Sequence, residues 1–158
     1  MSSMVKGTQL RVEVFGYQAT KSWTLPASAT TNTLFTVSGG AVLVTSLIGR
    51  VTTLIGSTAT TVSLGTVPTV GTGTGTTALA TAVAVTSKEV GTFIGVQASS
   101  GVGGALVVGT NAGVPVFTNF DFSVNAGTIT ATTSANAGAG VILWYLTYIP
   151  LDNGASVA

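Results

Sequence analysis

The side chains of this sequence that could take part in acid–base or metal chemistry are four carboxylates and five basic groups. Histidine, the commonest general base and metal ligand, is absent, as is cysteine with its thiol and disulfide chemistry. No two acids are close enough in sequence to share one face of a strand or one helical turn; they are Glu13, Glu89, Asp121 and Asp152. A carboxylate pair for glycoside hydrolysis and an oxygen-rich calcium loop are therefore not indicated. The sequence predicts a protein that is not an enzyme and holds no cofactor or metal.

Two glycine-rich stretches could suggest a phosphate or dinucleotide site. Residues 71–77 read GTGTGTT and have no nearby lysine, so they lack the pattern of a phosphate-binding loop. Gly101, Gly103 and Gly104 lack the following helix and acidic partner of a dinucleotide site. We interpret residues 71–77 as an exposed, low-complexity loop.

Charge is the most unusual feature of the composition. Only 6% of the residues are charged, whereas globular proteins average about 25%. The net charge of +1 and the absence of a basic cluster argue against nucleic acid as a partner. No apolar run reaches the ~20 residues of a membrane span, so no membrane partner is expected. Two interpretations stay open: a β-rich surface of neutral hydroxyl groups, or a surface covered largely by other subunits, since interface centres are poor in charge.

The first ten residues do not resemble a standard export signal. Met1–Leu10 contains a lysine and no apolar core of the kind that a secretory signal peptide carries. We therefore expect synthesis and use without export by the general secretory route.

The pattern of residue types predicts an all-β fold. Threonine, valine and isoleucine pack well on a pleated sheet, and no sustained helical period is present. Gly39-Gly40 predicts a hairpin turn and Asn125–Gly127 a second turn. The short spacing of strands indicates a sandwich or a barrel, and we favour an antiparallel, jelly-roll-like β-sandwich with an extended N-terminal arm. The predicted strands of the body are 33–37, 41–48, 51–55, 60–64, 90–96, 105–108, 114–124, 128–132 and 141–149.

Residues 1–32 are predicted to form an N-terminal arm and linker, and residues 33–158 the β-sandwich body. Leu10, Val12 and Val14 alternate with polar residues, as in a half-buried strand. One interpretation is an ordinary first strand with a frayed end. The other is an arm that docks on a neighbouring molecule with Trp23 as its anchor, because aromatic residues concentrate in binding hot spots.

The last predicted strand is apolar on both faces. Ile142, Trp144, Leu146 and Tyr148 alternate with Val141, Leu143 and Tyr145. Such a strand is expected to be buried on both sides. It would lie either in the middle of the sandwich or at a contact between subunits.

Two segments carry a family resemblance. Residues 33–55 read TLFTVSGGAVLVTSLIGRVTTLI, and residues 140–157 read GVILWYLTYIPLDNGASV. Together they resemble a family of small β-rich structural proteins of tailed bacteriophages, with an LFTV-x-GG-x-V-L-V segment, then G-x-VTT-x-I, and a closing W-x-L-x-Y-x-PL-x-x-G-A motif. The matching positions are Leu34, Phe35, Thr36, Val37, Gly39, Gly40, Val42, Leu43, Val44, Gly49, Val51, Thr52, Thr53, Ile55, Trp144, Leu146, Tyr148, Pro150, Leu151, Gly154 and Ala155. The resemblance spans residues 20–158; the glycine-rich stretches at 71–77 and 101–113 depart from it.

The resemblance implies a virion protein made in the host cytoplasm and carried on the capsid surface. It would act as a decoration or cement protein that associates with itself as a homotrimer and binds the major capsid protein. The alternatives are another virion component, in the tail, neck or host-adhesion apparatus, and a carbohydrate-binding β-sandwich module. The candidate partner-contacting residues are Arg11, Lys21, Trp23, Leu25, Trp144 and Tyr148.

Overall fold

The computed structural model describes residues 12, 14–71, 77–98, 103–113 and 120–158. Arg11, most of the predicted loop at 71–77 and most of the predicted strand at 114–124 lie outside these residues. The described part contains eleven strands: β1 (Tyr17–Thr24), β2 (Thr30–Ser38), β3 (Val42–Thr53), β4 (Thr61–Pro68), β5 (Thr77–Ala84), β6 (Phe93–Ala98), β7 (Gly104–Val108), β8 (Phe122–Val124), β9 (Gly127–Thr133), β10 (Val141–Pro150) and β11 (Ser156–Val157).

The strands pair into one sheet, in the order β1-β10-β3-β6-β7-β5-β4-β9-β2-β11, with β8 paired to β3 beside this path. The all-β prediction is therefore confirmed. The sheet curls until it is nearly closed into a barrel, so the predicted jelly-roll-like sandwich is not confirmed. At the seam between β1 and β2, the Trp23 Nε1–H donates a hydrogen bond to Asn32 Oδ1 at 3.4 Å.

The turn at Gly39-Gly40 is present, but the predicted hairpin is wrong. Both glycines have positive φ, at +75° and +142°, yet β2 pairs with β9 and β11 whereas β3 pairs with β10, β6 and β8. The edge of β2 that a hairpin partner would use is taken by β11 and by Ala158, which exchanges two backbone hydrogen bonds with Thr36. Asp152 Oδ2 accepts the Ala41 N–H at 2.7 Å and fixes the turn against the C-terminal loop.

The N-terminal segment contributes a strand to the sheet. β1 pairs with β10 along its whole length, and the boundary predicted at residue 32 falls inside β2. The strand predicted around residues 10–14 is wrong for its described residues, because Val12 and Val14 are helical. These residues belong to a helical turn, in which the Gly16 N–H donates a hydrogen bond of 2.9 Å to the Val12 carbonyl.

The interior of the barrel is filled by alternate residues of the strands. Trp144 of β10 is fully buried, and Gly49 of β3 stands opposite it in register. A Cβ at Gly49 would lie 2.8 Å from Ile142 Cγ2 and 3.1 Å from the Trp144 ring. The absence of a side chain at Gly49 therefore makes the room that the indole occupies.

We expect Gly49→Val to lower the free energy of unfolding by about 1–3 kcal/mol, because an overpacked interior forces neighbouring side chains off their rotamers. Urea denaturation of the purified protein measures this. Ala82→Val, on an exposed position of β5, is the control and should change stability by less than about 0.5 kcal/mol. Equal effects of the two substitutions would contradict the packing described here.

Candidate protein interface

The outward surface of four neighbouring strands carries half-buried apolar side chains. Residues opposite each other in paired strands share a face of the sheet. Leu143 stands opposite Arg50, which stands opposite Phe93, and Tyr145 stands opposite Ile48. Ile48 also stands opposite Gly95 of β6, and Gly95 stands opposite Val107 of β7, so Val107 shares this face. We name this surface the outer band; it consists of Ile48, Arg50, Phe93, Val107, Leu143 and Tyr145.

β10 is buried on one face and half-buried on the other. Trp144 and its neighbours on the inner face are in the core, whereas Leu143 and Tyr145 keep partial exposure. The prediction that β10 is buried on both faces in the middle of a sandwich is therefore wrong for this chain by itself. The other alternative, a contact between subunits, stays a prediction, because the outer face of β10 is apolar.

Polar groups border the outer band. On β1, Thr20 stands opposite Tyr145 and Ser22 opposite Leu143, and both are exposed. Arg50 is exposed within the band and supplies its charge. An apolar centre with a polar margin and an arginine is typical of surfaces that bind other proteins.

Four of the predicted partner-contacting residues lie in the core. Trp23, Leu25, Trp144 and Tyr148 are each at most 6% exposed. The Leu25 N–H donates to the Gly140 carbonyl at 3.0 Å, and Tyr148 stacks on the Tyr17 ring at a centroid distance of 5.6 Å. These residues fix β1 and β10 in place rather than present side chains to a neighbour.

Lys21 is exposed on the edge strand β1. Its register position opposite Trp144 puts it on the face that the core uses, but β1 lies at the end of the sheet and leaves the side chain accessible. A lysine on an edge strand discourages unwanted pairing with another chain. Arg11, the other predicted basic contact, is outside the described residues.

The structure shows a role in a turn for one of the described carboxylates. Asp152 is committed to the Ala41 N–H, and among the described residues no group of three or more metal-ligating side chains comes together. In the same part of the chain, no helix has the length and apolar character to cross a membrane.

The outer band was not predicted from the sequence, although two of its six residues, Leu143 and Tyr145, lie on a face of β10 that was. The apolar outer face of β10 was recognised from its alternation. Ile48, Arg50 and Phe93 join it only through the pairing of β3 with β10 and β6, which local patterning does not reveal.

Comparisons with known proteins gave no match among family models, curated proteins or solved structures.

The burial of both tryptophans predicts a specific fluorescence behaviour. We expect the native protein to emit at short wavelength and to resist quenching by iodide, with both properties lost on unfolding, because both tryptophans are almost completely buried. Titration with iodide in native buffer and in concentrated urea measures this. Free quenching of half of the native emission would contradict the placement of Trp23 at the seam.

Proposed function

We propose that this protein is a capsid decoration or cement protein of a tailed bacteriophage, which associates with itself and binds the major capsid protein of the assembled head. The outer band is the observation that carries the proposal. It presents half-buried apolar side chains where a solitary soluble protein would carry charge.

The low charge content of the chain, 6%, supports a protein that binds its partners through close apolar packing. Binding that relies on few ion pairs needs shape and apolar contact, repeated over many copies on a lattice. A protein that binds the assembled shell, and not its separated subunits, stabilises the shell by about RT ln(1 + [L]/Kd) per site. This gives a function to a molecule that has neither histidine nor cysteine.

The residues that carry the phage-family resemblance support the same proposal. They fall in β2, the Gly39-Gly40 turn, β3, β10 and the C-terminal loop, except Ile55, which lies just after β3. Two of these strands, β3 and β10, supply four of the six residues of the outer band.

The carbohydrate-binding alternative requires exposed aromatic rings in a groove. Trp23 and Trp144 are buried, so neither ring is available to stack on a sugar. The other alternative, a tail, neck or host-adhesion component, is distinguished by the location of the labelled protein in purified particles.

We expect Tyr145→Ser to weaken binding to empty phage heads at least tenfold, which corresponds to about 1.4 kcal/mol, because Tyr145 supplies one of the two aromatic rings of the outer band. Cosedimentation of purified protein with heads measures this. The control is Val90→Ser, which removes a 57% exposed apolar side chain outside the band and should leave binding unchanged. Unchanged binding of folded Tyr145→Ser would exclude the outer band as the docking surface.

Binding to heads is also expected to depend little on salt. The Debye length shortens severalfold between about 50 mM and about 500 mM salt. Over this range the dissociation constant for head binding should change less than about threefold. Cosedimentation across this range measures it. A steep loss of binding would show that charge, rather than apolar contact, holds the protein on the shell.

A further inference from the structure

A second apolar surface lies at one end of the barrel, where β1 begins and β10 ends. Eight large hydrophobic side chains of the described residues are exposed, and five of them belong to this end. We name them the rim cluster; they are Val14, Phe15, Tyr17, Ile149 and Leu151. Phe15 is 69% exposed, the most of any large hydrophobic residue described.

The chain folds so that these residues are neighbours. The helical turn that holds Val14 and Phe15 leads through Gly16 into β1. A Cβ at Gly16 would lie 3.4 Å from Ile149 Cγ1 and would collide with the Tyr148 carbonyl, so the backbone at Gly16 packs directly on the end of β10. Tyr17 stacks on Tyr148 next to this contact. The rim cluster is therefore one surface built from residues 14–17 and 149–151.

The rim cluster has recesses as well as projections. A depression of about 330 Å³ is lined by Val12, Phe15, Gly16, Gln18 and Thr147. A second, of about 460 Å³, lies between Tyr17 and the C-terminal loop and includes Leu151. Exposed side chains stand at the margins of both depressions, which is the shape that a self-complementary contact requires.

We propose that the rim cluster is a contact between copies of this chain, occupied by the rim cluster of a second copy about a two-fold axis, in place of the homotrimer that the family resemblance implies. The proposal rests on the proposed function for the expectation of self-association and names the surface that performs it. It assigns the two surfaces different partners: the outer band contacts the shell, and the rim cluster contacts another copy.

Area and charge favour a second copy as the occupant. If each residue when fully exposed presents at most about 200 Å², the area typical of an aromatic residue, the five residues expose at most roughly 560 Å² at their observed fractions. One side of a standard interface buries about 800 Å², a little more than half of it apolar. The rim cluster thus matches the apolar part of one such side. With a net charge of +1, two copies approach without appreciable repulsion.

The test compares two leucines of equal exposure. Leu151 in the rim cluster and Leu54 are each 54% exposed. Leu54 follows the end of β3 that pairs with Val141, so it lies at the opposite end of the barrel. We expect the full-length protein to sediment as an oligomer, Leu151→Asp to raise its dissociation constant at least tenfold, and Leu54→Asp to leave it unchanged. Sedimentation velocity over a range of concentrations measures all three, and thermal unfolding verifies that each variant is folded.

A labelling experiment gives an independent readout, because the chain has no cysteine of its own. Leu151→Cys should react with a maleimide more slowly as the protein concentration rises, while Leu54→Cys should react at a constant rate. Equal behaviour of the two positions would overturn the proposal. So would a wild-type protein that stays monomeric up to about 1 mM.

Head binding separates this proposal from the proposed function. Monomeric Leu151→Asp that still cosediments with heads supports both surfaces as assigned. Leu151→Asp that remains oligomeric but loses head binding overturns the rim cluster as a self-contact and leaves the shell-binding function standing. A wild-type protein that forms oligomers through the rim cluster but never binds heads overturns the proposed function alone.

Discussion

The structure depends on the packing of β10 between β1 and β3. Its inner residues fill the barrel, and Trp144 is accommodated only because Gly49 stands opposite it. The same strand turns Leu143 and Tyr145 outward, so one ten-residue segment sets both the core and the outer band. Its final residues reach the rim cluster. A single strand, β10, therefore supplies residues to both the outer band and the rim cluster, the two surfaces to which we assign partners.

Hydroxyl groups contribute many of the polar contacts that charged residues make in other proteins. Thr31 and Thr132 share a hydrogen bond of 2.7 Å between paired strands, and the single proton of the buried Thr133 hydroxyl is shared between the Ser28 and Thr30 carbonyls, at 3.2 and 3.4 Å. Where such a contact is buried, as at Thr133, it satisfies polar atoms without the desolvation cost of an ion pair. The low charge content of the chain suits the packing of many copies on one surface that we propose.

The sequence was sufficient to predict what depends on local pattern. The alternation in residues 141–149 identified β10, and the threonine alternation identified β9. β5 was missed because its sequence, TALATAVA, is rich in alanine and lacks the strand signature of branched residues. The hairpin at Gly39-Gly40 was wrong because a turn sequence fixes the direction change of the chain and not the partner of each strand. The sandwich was favoured over a barrel for the same reason: closure is decided by pairing between distant segments. Trp23 and Trp144 were assigned to partners because aromatic residues serve cores and interfaces equally well.

The pairing of β1 with β10 has a consequence for the order in which the protein folds on the ribosome. Contacts such as that between Thr30 and Thr133 join residues 103 positions apart, and β1 gains its partner only when residues 141–150 have been synthesised. Proteins dominated by such distant pairings fold slowly. Until then β1 lacks the strand with which it pairs, and a lysine at its middle, Lys21, disfavours its pairing with another sheet.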